Sequence, residues 1–222
     1  MNSEVRSSVL IIDDHPLFRK GVRQLLDLEP TLCVVGEASN GEEGIAMAEQ
    51  HGPDLILLDL NMKGMGGLQT LERIKAHNVE TRVVVLTVSD LPDDLMAAIR
   101  AGADGYLLKD MEPEDLLARI KEAVFGQTVI SDGLAGRLAL ALREEASARN
   151  RSTSELTERE RDILKGLAEG KSNKLIARDL NITEGTVKVH VKNLLRKLSF
   201  RSRVEAAVWA VDNLEAWKPG AS

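Results

Sequence analysis

The sequence predicts an α/β protein in two parts: a doubly wound (βα)5 unit around a parallel five-stranded sheet, then a small all-α domain of four helices. Three observations lead there. Short aliphatic runs alternate five times with segments of helical periodicity in the first 126 residues, the pattern of parallel strands buried on both faces and joined by right-handed crossovers. After a charged, Ser-rich stretch the pattern becomes wholly helical. The 222 residues also exceed the about 100–150 that one domain commonly takes.

Strands are expected near 9–12, 33–38, 55–58, 83–86 and 106–108, and helices near 17–28, 42–50, 68–76, 95–101 and 113–125. The second strand, Val34-Val-Gly-Glu-Ala38, is the least continuous and is expected nearest an edge. Residues 8–126 thus form the first domain and 127–154 a linker, in which 134–142 can make a short amphipathic helix and 144–154, charged and without an apolar anchor, reads as a tether. Residues 155–217 form the second domain. Thr157 followed by Glu160 has capping-box spacing, with Leu156 ahead as a staple. Gly170 stops that helix, Thr183 caps a third running through Leu198, and a last one spans about 203–213. A short helix, a tight turn and a longer helix make a helix-turn-helix.

Composition narrows the class. A hydrophobic fraction of 43% excludes a disordered chain. No apolar run approaches the about 20 residues that span a bilayer, and no cationic segment precedes an apolar one at the N-terminus, so a cytoplasmic protein is expected. Cys33, the single cysteine, sits in an apolar run and reads as core packing. The net charge of −6 hides an asymmetry. Residues 1–130 carry 12 Lys/Arg against 22 Asp/Glu, whereas 171–203 carry 9 against 2. A basic stripe of that kind is a candidate nucleic-acid footprint.

The chemistry gathers where aliphatic runs end. Asp13 and Asp14 follow Val9-Leu-Ile-Ile12, Asp59 ends the third run, Thr87 the fourth and Lys109 the fifth. Carboxylates directly after a buried run must sit at its mouth, because isolated charges are costly to bury. In an open α/β sheet the carboxyl edge is where ligands bind. A plainer reading makes Asp14 or His15 a cap for a helix that opens with Pro16. Three converging carboxylates repel unless a cation lies between them, and hard oxygen donors suit Mg2+. Asp14 and Asp59 are the expected direct ligands, with Asp13 acting through water and the backbone carbonyl of Asn61 as a third protein ligand. Asp59 can then take up a phosphoryl group as a carboxylate nucleophile. Lys109 would supply positive charge and Thr87 a hydroxyl donor to the transferring group.

This constellation resembles the receiver domain of two-component response regulators over residues 8–126, in both order and spacing. The resemblance implies a flavodoxin-like fold, Asp59 as phosphoacceptor for a sensor histidine kinase, and Thr87 with Tyr106 as a switch pair. The chain departs from the family at Lys63, where proline is usual, and at Val88, which is bulkier than the common alanine. A Mg2+-dependent phosphatase working through an aspartyl phosphate is the enzymatic alternative. It would normally need an acid two residues after the nucleophile, where Asn61 offers an amide.

The segments Leu156-Thr-Glu-Arg-Glu-Arg-Asp-Ile-Leu164, Asn173-Lys-Leu-Ile-Ala177 and Thr186-Val-Lys-Val-His-Val-Lys192 resemble the LuxR-type helix-turn-helix. In the third helix Val187, Val191, Leu194, Leu195 and Leu198 can pack inward, while Lys188, Val189, Lys192 and Arg196 recur on an outward face. Lys188, Val189 and Lys192 are expected at base edges, and Ser172, Asn173, Lys174, Thr186, His190 and Asn193 at phosphates. In the last helix Ala206, Ala207, Val208 and Val211 are expected to pack partly on the core and partly on a second protomer. A homodimer on paired half-sites of duplex DNA follows, opened by phosphorylation from a state in which the acidic first domain covers the basic helix. Alternatively, the helical domain meets only proteins. At whole-chain level, Gly36-Glu-Ala-Ser-Asn-Gly-Glu42 and Ser202-Arg-Val-Glu-Ala-Ala-Val-Trp209 resemble the nitrate/nitrite branch of the NarL family. That implies control of anaerobic respiration genes; the same architecture answering another signal is the alternative.

Overall fold

The computed structural model describes residues 6–77, 81–131, 133–136, 138, 156–198, 200 and 202–213. Its elements run β1 (Ser7–Ile12), α1 (Pro16–Asp27), β2 (Leu32–Ala38), α2 (Gly41–His51), β3 (Leu55–Leu58), α3 (Gly67–His77), β4 (Arg82–Thr87), α4 (Pro92–Ala101), β5 (Gly105–Leu108), α5 (Pro113–Val124) and β6 (Val129–Ile130). Then come α6 (Glu158–Ala168), α7 (Asn173–Asp179), α8 (Glu184–Lys197) and α9 (Arg203–Asn213).

The sheet is parallel throughout, in the order β2-β1-β3-β4-β5-β6. β2 lies at an edge, as its broken pattern indicates. Aliphatic side chains alternate between two cores. Leu10, Ile12, Ile56, Leu58, Val83, Val85 and Tyr106 face α2, α3 and α4. Val9, Ile11, Leu55, Leu57, Val84, Leu86 and Leu107 face α1 and α5. Period-2 alternation with both faces covered leaves the strands almost without polar residues.

The sheet has six strands, not the expected five. Val129 pairs with Gly105 and Ile130 with Tyr106, placing a strand inside the stretch read as linker. Gly105 allows the approach, since a Cβ there would lie 2.7 Å from the Val129 carbonyl oxygen. Two residues are too few to show alternation, so only tertiary pairing reveals the strand. Ser131 extends it: its N–H donates to the Tyr106 carbonyl at 3.0 Å, and its hydroxyl accepts from Leu108 N at 3.0 Å. Of the helix expected over 134–142, residues 134–136 and 138 are described and helical; the rest, like the tether 144–154, falls outside the described residues. Leu134 and Leu138 are buried with the α2–α4 core.

α6 to α9 close on their own core, where Leu156, Ile163, Leu164, Val187, Leu194, Ala206 and Trp209 are buried and Phe200 packs its ring 5.6 Å from that of Trp209. Local signals made these ends. Thr157 Oγ1 accepts from Glu160 N while the Glu160 carboxylate accepts from Thr157 N, a complete capping box. Thr183 accepts from Thr186 N at the start of α8. α9 joins the two parts: Val204 is buried in the α2–α4 core and Val208 packs against it. Part of the surface expected to meet a second protomer is thus covered by the first domain, while Val211 is exposed. Among the described residues no helix is long and apolar enough to cross a membrane.

Candidate functional site

The carboxyl ends of β1 and β3 lie side by side, with Ile12 paired to Leu58, so the acids that follow each strand emerge together. Asp59 N donates to the Ile12 carbonyl at 2.9 Å, and Asp13 N to the Ala38 carbonyl at 3.0 Å. β4 and β5 bring up the rest, since Lys109 N donates to the Thr87 carbonyl at 2.9 Å. This is the strand-order reversal where open α/β sheets bind ligands.

Asp13 and Asp59 are buried, and Lys109 Nζ lies 2.8 Å from a carboxylate oxygen of each. The same ammonium sits 4.7 Å from the centre of the Phe18 ring, which helps hold a lysine that is itself buried. Asp14 is partly buried, with Oδ2 accepting from Lys63 N at 3.2 Å. Asn61 N donates to Asp59 Oδ1 at 3.3 Å.

Asp14 Oδ1 and Asp59 Oδ2 are buried without a hydrogen bond of acceptable geometry, although His15 Nδ1 lies 2.9 Å from the first and Lys109 Nζ 2.8 Å from the second. Unsatisfied carboxylate oxygens facing one another are costly, and a hard divalent cation relieves that cost. The donor set therefore fits Mg2+. Ligand atoms from Asp13, Asp14, His15 and Asp59 all lie within 4.8 Å of one another.

His15 is the member of this group that sequence reasoning missed. It occupies the cap position of α1 but makes no side-chain cap bond; its ring lies over the acids, with Nδ1 3.3 Å from Asp13 Oδ1. The capping explanation for this segment fails, although Pro16 does open α1. The clue was the position itself, directly after two acids at a strand mouth.

Thr87 is fully buried. Its Oγ1 accepts from Asn61 Nδ2 and from Ser89 N, each at 3.3 Å. Tyr106, also fully buried, donates from its hydroxyl to the Ser89 carbonyl at 2.9 Å. Ser89, which the sequence alone did not single out, thus lies between them, its N–H donating to Thr87 and its carbonyl accepting from Tyr106. Burial pushes the Tyr106 phenol up to about 12, the Ser89 bond offsetting part of that and the nearby acids adding to it. Lys63 extends into solvent while Val88, beside the site, is 71% exposed.

In the second domain Val187 and Leu194 face inward, fully buried, and Lys188, Val189 and Lys192 are exposed on one side of α8. All three line a cavity of about 370 Å3 whose far wall belongs to the first domain, including Arg82 and Asp104. Lys174 and Lys188 border a neighbouring cleft of about 400 Å3 with Asp54 and Phe125. Not every residue expected at phosphates is free for that. Ser172 is buried and its hydroxyl accepts from Leu175 N, Asn173 is buried near Arg203, and the Thr186 hydroxyl pairs with that of Thr183 at 2.8 Å. Lys174 is exposed and His190 and Asn193 are partly so.

Comparison with known proteins agrees with this layout. Residues 9–121 match the response regulator receiver domain, and residues 154–210 match the bacterial regulatory proteins of the luxR family. The chain is 54% identical over 209 residues to the nitrate/nitrite response regulator protein NarL of Escherichia coli strain K12, covering 94% of this chain and 97% of that one. It is 52% identical over 200 residues to the nitrate/nitrite response regulator protein NarP of the same strain, covering 90% and 92%. Among solved structures, the receiver domain of the putative response regulator NarL from Mycobacterium tuberculosis matches with a TM-score of 0.53 and 35% identity, covering 55% of this chain and 99% of that one. The RcsB response regulator of Salmonella typhimurium matches with a TM-score of 0.56 and 25% identity over 92% and 98%. With a receiver that presents an acidic strand-end cluster and a helix-turn-helix that presents a basic helix, this chain belongs to the NarL/LuxR family of two-component, DNA-binding response regulators.

Proposed function

We propose that this chain is switched by phosphorylation of Asp59 and that the switch frees α8 to bind paired DNA half-sites. The observation that carries the reading is Lys109 closing on both Asp13 and Asp59 at a strand mouth where Asp14 Oδ1 and Asp59 Oδ2 are buried without hydrogen bonds of good geometry. Asp14, Asp59 and the Asn61 carbonyl would hold Mg2+, with Asp13 acting through water. When bound, the ion neutralises the acidic cluster and offers positive charge to phosphoryl oxygens.

An Asp59 oxygen forms a bond to phosphorus as the P–N bond of a kinase phosphohistidine breaks, the imidazole leaving with the electron pair. Lys109 meets charge on the transferred group. To reach that group the Thr87 hydroxyl must leave Asn61 and Ser89, which loosens the Ser89 carbonyl that now holds Tyr106. Tyr106 shares its core with Leu95, Met96 and Ile99 of α4, and α4 packs on α9. A local change in charge is thereby coupled to the domain interface.

The cavity facing α8 supports a closed resting state. A recognition helix must enter a major groove about 12 Å wide, and a space of about 370 Å3 shared with the receiver holds no duplex. The likeness to NarL and NarP favours nitrate or nitrite as the signal, and the receiver domain favours a sensor histidine kinase as donor. Dimers would bind inverted repeats, since a two-fold protein matches a two-fold site.

Footprinting on an inverted-repeat operator tests the reading. Phosphorylated chain is expected to bind at least tenfold more tightly than unphosphorylated chain, and Asp59→Asn to lose that gain. Equal binding by the unphosphorylated full chain overturns the closed state. Genome-wide occupancy with and without nitrate, in parent and Asp59→Asn strains, tests the signal separately.

A further inference from the structure

A receiver that only masked a basic helix would line the whole contact with acids; Asp54 borders Lys174 and Lys188 in the neighbouring cleft, but the cavity on α8 differs. The far wall of the α8 cavity carries Lys75 and Arg82, with Asp104 as the receiver acid lining it among the described residues. Asp104 is already engaged: Oδ2 accepts from Lys75 Nζ at 2.6 Å and from Val83 N at 2.9 Å. Arg82 is held by the carbonyls of Val124 and Ala123 at the end of α5. Arg203 donates to the Lys171 carbonyl at 2.8 Å and to Asn173 Oδ1 at 3.4 Å. Among the described residues, Arg82, Lys188, Lys192 and Arg203 have no carboxylate within ion-pair distance.

The closed state thus gathers like charges from both domains around a space of about 370 Å3. Burial lowers the pKa of Arg203; the Asp104 charge opposes that, and the Arg82 charge adds to it. Neutral oxygens accept from one nitrogen of Arg82 and two of Arg203, which leaves the charge uncancelled and further N–H groups able to donate. A multiply charged anion would cancel it, with Arg offering paired donors and Lys compact charges.

We propose that the cavity between receiver and α8 is a binding site for a small diphosphate-type anion, which bridges Arg82 of the receiver to Lys188, Lys192 and Arg203 and clamps the closed state. The inference rests on the closed arrangement described under the proposed function. Because the anion binds the closed state alone, it opposes DNA binding, and by reciprocity DNA binding or phosphorylation expels it. The receiver cations set this apart from a DNA-phosphate footprint, since they lie across the cavity from α8.

Calorimetry on the unphosphorylated full chain, in metal-free buffer at constant ionic strength, uses inorganic pyrophosphate as the probe and ADP and AMP as comparisons. Small-angle scattering on the same samples reports whether the domains are closed. The expected result is one pyrophosphate per chain, at least tenfold weaker binding in Arg82→Gln and in the surface variant Lys188→Gln, and loss of binding in chain phosphorylated beforehand with acetyl phosphate and Mg2+ and then exchanged into the metal-free buffer. ADP binding that matches pyrophosphate while AMP fails would identify a nucleotide as the source; pyrophosphate alone would identify the free anion. Closed domains with no binding, or with equal binding by both variants, overturn the site and leave the closed state standing. Separated domains in the unphosphorylated chain overturn both.

Discussion

Gly67 is wedged against the backbone of Asp59, the proposed phosphoacceptor, and adding one methyl group there should uncouple folding from phosphorylation. A Cβ on Gly67 would lie 2.0 Å from the Asp59 carbonyl oxygen, 2.5 Å from Leu60 Cα and 2.8 Å from the Asp59 carbonyl carbon. All three are backbone atoms, so no side chain can swing aside. Real Cβ contacts essentially never fall under 3.0 Å, so either α3 or the strand end carrying Asp59 must move by about 1 Å. The Gly67 amide also donates to the Leu60 carbonyl at 3.0 Å, tying the two segments together. Overpacking of this kind costs about 1–3 kcal/mol, which lowers the receiver's Tm by roughly 4–12 °C. A 1 Å misplacement of a reacting group costs about 10²-fold in rate. Gly67→Ala is therefore expected to remain folded at 25 °C while acetyl phosphate phosphorylates it about a hundredfold more slowly. Gly66→Ala is the control, because a Cβ on Gly66 meets nothing within 4 Å. Intact-mass time courses and thermal melts on both variants provide the measurement. Parental rate and Tm in Gly67→Ala would refute the claim that this close approach positions Asp59.

Three further outcomes follow from particular contacts. Tyr106 is the chain's one tyrosine, so phenolate absorbance reads it alone; its folded pKa, raised to about 12, means that its contribution to stability is full below pH 10 and is lost as pH rises towards 12. A folded-state midpoint near 10 would show the ring to be solvated. Glu160 is held below its ordinary pKa of 4.5 despite the opposing effect of burial, by Lys197 at 2.7 Å and by Thr157. Its contribution is present above pH 4.5 and lost as pH falls through the lowered folded value, so acid melts of Glu160→Gln should show less pH dependence than the parent; identical profiles would contradict this. Lys63→Pro removes the N–H that holds Asp14 Oδ2, a bond of about 0.5–1.5 kcal/mol, and should weaken Mg2+ roughly two- to twelvefold in calorimetry, whereas Lys63→Ala should not; equal affinities in the two would dismiss the backbone role.

Much of the fold could be read from the sequence because its signals are local. Aliphatic runs that end in acids marked both the strands and the mouth of the site, and Thr157 with Glu160 marked a helix start that the structure reproduces bond for bond. What stayed hidden depends on segments distant in sequence. β6 is two residues long and exists through β5. Ser89 matters because Tyr106, 17 residues away, reaches its carbonyl. Net charge carries no positions: the receiver is acidic as a whole, yet its wall of the α8 cavity holds Lys75 and Arg82 beside Asp104.

The anchoring of residues 129–138 matters for anyone who recombines regulators of this architecture. β6 is stitched to Tyr106, and Leu134 and Leu138 complete the receiver's own core. A chimaera cut at 126, just beyond α5, would strip those side chains from the donor receiver and substitute a foreign segment against β5. A junction placed after 138 keeps β6, Leu134 and Leu138 with their own receiver, and leaves the contacts of Val204 and Val208 as what the incoming output half must replace.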